Sequence, residues 1–169
     1  SPNFGAKPGV ISNPAASYEA LLDAAARSLK VHGFTDILLI GDSGGNQGGM
    51  TNVANKLNAE WKGQGARVYA LNEYYTKSRN DFRAWLLEKH GYDQATVGSH
   101  AGISDTSQLL HIYPDGIRKD RIKPQGGGPD SGVSGVPTKA TAEIGKMGLE
   151  LKVNAAIAQY RALKATPLQ

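Results

Sequence analysis

The chain has 169 residues, 40% hydrophobic and 20% charged, which suits one globular domain, residues 1–169, able to bury a real core. Its 19 basic and 15 acidic residues leave a charge of +4; the bases cluster only in Arg118-Lys119-Asp120-Arg121-Ile122-Lys123, so no basic stripe or base-stacking motif argues for nucleic acid as a partner. The chain has no cysteine, which excludes disulfides, thiolate zinc sites and cysteine nucleophiles, and no apolar run approaches the ~18 residues that span a bilayer.

A soluble protein is therefore expected, with no membrane partner. Absence of cysteine fits a reducing (cytoplasmic) or an oxidising (periplasmic) compartment alike. The opening, Ser1-Pro2-Asn3-Phe4-Gly5-Ala6-Lys7-Pro8-Gly9, has no signal-peptide pattern and reads as a mid-protein loop.

In chain order, Asn13-Pro14 is a helix-start signal. Tyr18, Leu21, Leu22, Ala25 and Leu29 recur behind it at helical spacing, and Gly33 can supply a left-handed stop. Residues 36–41 read as a short buried strand, leading into the glycine-rich turn Gly41-Asp42-Ser43-Gly44-Gly45-Asn46-Gln47-Gly48-Gly49. Met50, Val53, Ala54, Leu57 and Trp61 mark the inner face of a second helix. Residues 67–72 form the next strand, and Asn80-Asp81 opens a third helix with Phe82, Trp85 and Leu86 inward. A short strand over 96–99 is expected to enter His100-Ala101-Gly102-Ile103-Ser104-Asp105-Thr106-Ser107, followed by a fourth helix to about Ile112, before Pro114. Beyond Asp115 comes a long irregular loop with Gly126-Gly127-Gly128-Pro129 and the segment 131–137. A last helix over about 138–163 carries Ile144, Met147, Leu151, Ile157 and Tyr160.

Helices alternating with strands at these lengths imply an α/β fold: a parallel, or mostly parallel, sheet with helices on both faces. In such sheets ligands bind outside the carboxyl ends of the strands, where both unusual loops are expected. In the first, glycines let the backbone amides of residues 43–46 approach a ligand, and the next helix points its positive end there; a tight turn without a ligand has the same sequence. In the second, His100 suits proton transfer near neutrality. Asp105 is either a metal ligand or a helix cap shared with Ser104.

Two superficial matches fail. Gly-Asp-Ser-Gly-Gly also surrounds the serine of trypsin-like proteases, but helical periodicity contradicts an all-β barrel. A GDSL-type serine esterase needs a late Asp-x-x-His pair, whereas His111 is the last histidine.

Taken together, Pro8-Gly9-Val10-Ile11, His32-Gly33-Phe34, Gly41-Asp42-Ser43-Gly44-Gly45-Asn46, His100 to Ser107 with Pro114, and Gly132-Val133-Ser134-Gly135-Val136-Pro137 with Thr141 and Glu143-Ile144-Gly145 resemble, in order, the creatininase (creatinine amidohydrolase) family, in a branch whose first loop reads Asp-Ser-Gly-Gly-Asn. The resemblance implies the C-terminal two-thirds of a creatininase-like fold. It implies a metal-dependent hydrolase of a small cyclic amide or related C–N bond, usually a homo-oligomer. His100 would be the catalytic histidine. Ser43, Gly44, Gly45 and Asn46 would line the substrate. Asp105 stands where the family has a metal-binding glutamate, and Asp42 is the alternative carboxylate. Ser43 replaces a metal-binding histidine, and the family's upstream Glu-x-His and Asp ligands have no counterpart here. A divalent metal, zinc or manganese, is thus expected to need a partner N-terminal fragment or to be absent from this chain alone. The competing reading is a non-catalytic creatininase-like subunit that binds a small ligand or builds oligomers.

Overall fold

The computed structural model describes residues 11–124, 126 and 131–167. The opening loop with Pro8-Gly9-Val10, and Gly127-Gly128-Pro129, lie outside the described residues. The chain divides into two compact units, Ser1–Thr76 with Asn154–Gln169, and Lys77–Val153.

In the first unit, helix α1 spans Ala15–Val31. Pro14 is its N-cap rather than its first helical residue, and the Pro14 carbonyl accepts the Tyr18 N–H at 3.1 Å. Gly33, at φ 87°, provides the expected stop, and the Phe34 N–H closes back on the Leu29 carbonyl at 3.1 Å. The buried stripe is rotated from the one expected. Ala26 and Leu22 meet the core, while Leu21 and Leu29 are exposed.

Strand β1 (Asp36–Leu39), helix α2 (Gly44–Glu60) and strand β2 (Arg67–Ala70) form one parallel crossover, in register from Asp36 opposite Arg67 to Leu39 opposite Ala70. Both strands end short of the expected residues 41 and 72. Ile37 and Val68 pack with Val53, Ala54, Leu57 and Trp61, the inner face read from the sequence, and with Ala26 of α1. On the opposite side, Tyr69 and Leu71 pack with Ala156, Tyr160 and Leu163 of helix α6 (Ala142–Ala165). The α/β expectation of parallel strands with helices on both faces holds here.

The two edges of this sheet are unequal. In a parallel ladder, alternate peptide groups face alternate edges. The Arg67 N–H bonds to the Thr35 carbonyl and the Leu71 N–H to the Leu39 carbonyl, so Val68 faces away from β1. Its N–H donates to Asn58 Oδ1 and its C=O accepts from Asn58 Nδ2, both at 2.8 Å. The Asn58 amide therefore mimics a neighbouring strand at the middle of β2. On β1, by the same alternation, the peptide groups of Asp36, Leu38 and Ile40 face the other edge, and no strand among the described residues pairs there. Asn58→Ala should cost about 1–3 kcal/mol, because two partly buried backbone groups lose their partner together. Chemical denaturation, with Asn58→Asp as the variant keeping only the acceptor, measures it.

The far end of the sheet is latched by Asp36. Its carboxylate accepts from Tyr69 Oη at 2.9 Å and pairs with Lys164 Nζ at 2.5 Å. Lys164, and secondarily Tyr69, holds the Asp36 carboxyl below the usual carboxylate range. A lowered folded pKa contributes stability above the unfolded value of ~3.9 and loses it as pH falls through the folded one. Asp36→Asn should therefore be about 1 kcal/mol less stable than the parent near neutrality. That gap should narrow as pH falls below the unfolded value of ~3.9 and close once the folded carboxyl is protonated, in parallel denaturant titrations.

In the second unit, helix α3 (Thr76–His90) opens at Thr76 rather than Asn80, with a Lys77–Asp81 ion pair one turn in. The strand expected over 96–99 is absent. Residues Gln94–Val97 form a one-turn helix, α4, because the Asp93 carboxylate caps the Thr96 N–H at 2.8 Å and Gly98 turns left-handed at φ 74°. Helix α5 runs over Ile103–Ile112, ending before Pro114 as expected. The last helix begins at Ala142, after a 3₁₀ turn at Pro137–Lys139. Phe82, Leu86, Val97, Ile103 and Ile144 make this unit's core.

Candidate functional site

The first loop lies at the carboxyl ends of β1 and β2. Gly41 is closely packed there: a Cβ would sit 3.0 Å from the Asn46 Cβ and 3.2 Å from the Met50 Sδ, so those side chains would have to shift to admit one. Gln47 Nε2 ties the turn down, donating to the Gly41 and Ser43 carbonyls at 2.8 Å each. Ser43 is extended, at φ −145°, and its side chain makes no cap bond, so α2 begins with the amides of Gly44 and Gly45. Asp42, Ser43, Gly44 and Gly45 are exposed and Asn46 is half-buried. The second wall comes from the 3₁₀ turn Asn72–Tyr74. Asn72 Nδ2 donates to Thr51 Oγ1 at 2.7 Å, and Thr51 Oγ1 to the Gln47 carbonyl at 3.1 Å. Tyr75 stands over Gly44, where a Cβ would meet its hydroxyl at 3.5 Å. Burial pushes the Tyr74 phenol up, and the negative charge of Asp42 adds to that. The sequence reading missed both tyrosines; an aromatic pair directly after a strand's carboxyl end was the available signal.

The second loop follows α4, so His100 does not stand at a strand end. His100 and Asp105 are both exposed. Between them Ala101 is left-handed at φ 47°, the only non-glycine described residue with positive φ, a conformation costing of order 1 kcal/mol. Asp105 Oδ2 accepts the Ala101 N–H at 2.8 Å, a backbone group outside α5; the helix's N-cap is Gly102, without a side-chain cap bond, so neither Asp105 nor Ser104 caps it. Ser134 reaches the loop from the segment 131–136. Gly102 fits only as glycine: a Cβ would lie 2.3 Å from the Val97 carbonyl oxygen and 2.6 Å from that of Ser134. Gly102→Ala should lower the thermal midpoint by roughly 5–10 °C through overpacking, which calorimetry measures directly.

Among the described residues no group of three or more His, Asp or Glu side chains converges to hold a metal ion. A separate cavity of about 410 Å³ in the second unit is lined by Trp85, His90, Tyr92, Ile144 and Met147, among others. His90 stacks on Tyr92 there, ring centroids 5.2 Å apart. None of the predicted site residues lines it.

A glycine-rich loop at the carboxyl ends of parallel strands places the first unit in the parallel α/β class, whose ligand sites lie at such strand ends. The family profile described as "Creatininase: Creatinine amidohydrolase" matches residues 1–160. The chain belongs to the creatininase family. A crystal structure of creatinine amidohydrolase (creatininase) superposes with a TM-score of 0.67 at 19% identity, covering 96% of this chain and 69% of that one. A manganese creatininase gives 0.66 at 20%, covering 90% and 66%. A glutamate-to-glutamine mutant complexed with creatine gives 0.66 at 21%, covering 90% and 67%. These likenesses show the fold, and the chain spans about two thirds of the proteins it matches. Comparison with curated protein sequences gives no significant match. Among the described residues no helix is long and apolar enough to cross a membrane.

Proposed function

We propose that this chain is part of a metal-dependent amidohydrolase opening a small cyclic amide or a related C–N bond. The observation that carries the reading is His100, exposed in a glycine-packed, strained turn of a chain whose family profile runs almost end to end. In such a hydrolysis, water adds to the amide carbon, the C–N bond breaks, and the departing nitrogen takes a proton. His100 is the group to move that proton. The Gly44 and Gly45 amides, with Ser43 and Asn46, are the donors for the substrate's oxygens, since they open α2. Manganese and Zn–Zn forms occur among the similar structures, and Asp105 is the carboxylate this chain would contribute to such an ion, with Asp42 as the alternative. Further ligands would come from a partner segment or a second copy. The outward-facing edge of β1, with Leu38 and Ile40 exposed, is where an added strand would pair.

The chain alone should hold less than one tight divalent ion, and Asp105→Ala should lower whatever occupancy exists. Metal analysis after dialysis against chelator decides this; two retained stoichiometric ions would overturn the ligand assignment. With manganese or zinc supplied, turnover of creatinine or a hydantoin should fall at least ~10²-fold in His100→Ala.

The non-catalytic reading draws its support from Ser43, a neutral hydroxyl at the place of a ligating histidine. An assembled, metal-loaded protein that binds creatine but turns over no cyclic amide would favour it.

A further inference from the structure

We infer that Ser134, on a segment over thirty residues away in sequence, is the positioning residue of His100. Its side chain serves the histidine's backbone rather than the substrate. Ser134 Oγ accepts the Ser99 N–H at 2.8 Å and the His100 N–H at 3.1 Å, and lies 3.2 Å from Ser99 Oγ. From the same residue, the Ser134 N–H donates to the His100 carbonyl at 2.9 Å. One serine thus holds His100 on both sides of its Cα, through the N–H before it and the C=O after it.

The fit is closed by glycines. A Cβ at Gly98 would come within 2.1 Å of the Ser134 carbonyl oxygen, and one at Gly135 within 2.7 Å of the Gly98 nitrogen. Two residues on, the Val136 N–H bonds to the Thr96 carbonyl at 2.8 Å. The two segments are therefore laced at Ser134 and again at Val136, and a side chain at either glycine would separate them.

Beyond His100 the chain must turn through left-handed Ala101, a cost that persists only where neighbours over-determine the backbone. Ser134 fixes the approach to that residue, and Asp105 Oδ2 fixes its N–H. A histidine that moves a proton needs its ring placed to within a fraction of an ångström. An exposed imidazole on an unsupported turn would lack that placement.

The inference rests on the proposed role of His100 for its consequence in turnover, but its geometry is tested without any substrate. In the full chain, Ser134→Ala should raise amide hydrogen exchange at Ser99 and His100 by about tenfold, since each loses a hydrogen bond. It should also shift and broaden the His100 ring resonances, leaving those of His32 and His90 unchanged. Ser134→Thr, which keeps the hydroxyl, should restore both signals. If Ser134→Ala leaves exchange at both amides and the His100 resonances at parent values, the assignment is wrong. Equal disturbance by Ser134→Thr and Ser134→Ala, or loss of signals throughout the chain, would make Ser134 a general packing residue and overturn it as well. Where the metal-loaded protein hydrolyses creatinine or a hydantoin, Ser134→Ala should cut kcat by about tenfold at constant KM. A rise in KM with kcat at the parent value would overturn the positioning role. A parent protein without turnover would count against the hydrolase reading, while the exchange and resonance results still decide the Ser134 assignment.

Discussion

The parallel pairing of Asp36–Leu39 with Arg67–Ala70 carries the first loop and the tyrosine turn together, because both leave the sheet at the same end. Strands of this length gain little from their own ladder, so the pair depends on what covers it. Val68 and Ile37 bury one face against α1 and α2, and Tyr69 buries the other against α6. The edge beside Val68 is closed by a single side chain, Asn58, which satisfies one N–H and one C=O at once. Sealing an edge with an amide leaves no template for another strand. The opposite edge, along Leu38, has no such plug among the described residues, and this asymmetry fixes the direction in which the sheet can grow.

How much of this was legible in the sequence depended on whether local signals agreed with tertiary ones. The α2 face was read correctly because Met50, Val53, Ala54, Leu57 and Trp61 are apolar and every one of them is buried. The α1 face was misread because leucines outnumber the alanine that makes the closest contact. Small size, not hydrophobicity, puts Ala26 against the sheet. Residues 96–99 looked like a strand since Thr96 and Val97 are β-branched, yet the cap offered by Asp93 outweighed that propensity over one turn. For the first loop, the glycines announced a close approach, and Gly41 and Gly44 do meet side chains. What the sequence hid was the identity of those neighbours: Asn46 for the one, Tyr75 for the other.

His100 shows a different limit. Its residue type and family context marked it, but the features that hold it in place are long-range. Ser134 lies beyond an entire helix and the irregular region after Asp115, and no local pattern announces that its hydroxyl accepts backbone amides of 99 and 100. The glycines at 98, 102 and 135 were visible as glycines. Only in three dimensions do they become the surfaces across which the two segments touch.

Asp105 joins these strands of argument, because its two possible roles compete for the same atoms. A carboxylate has two oxygens, and Oδ2 already accepts the N–H of left-handed Ala101. An ion taking both oxygens would withdraw that bond and release a residue whose backbone conformation is costly without support. An ion taking only Oδ1 would leave the turn intact, and the bond to Oδ2 would then help aim the ligand oxygen. The second arrangement matches how ligating carboxylates are commonly oriented by a hydrogen bond from outside the metal's own shell. Aspartate in the first turn of α5 accepts the Ala101 N–H, so the carboxylate that would face an ion also ties His100's turn to the helix that follows it.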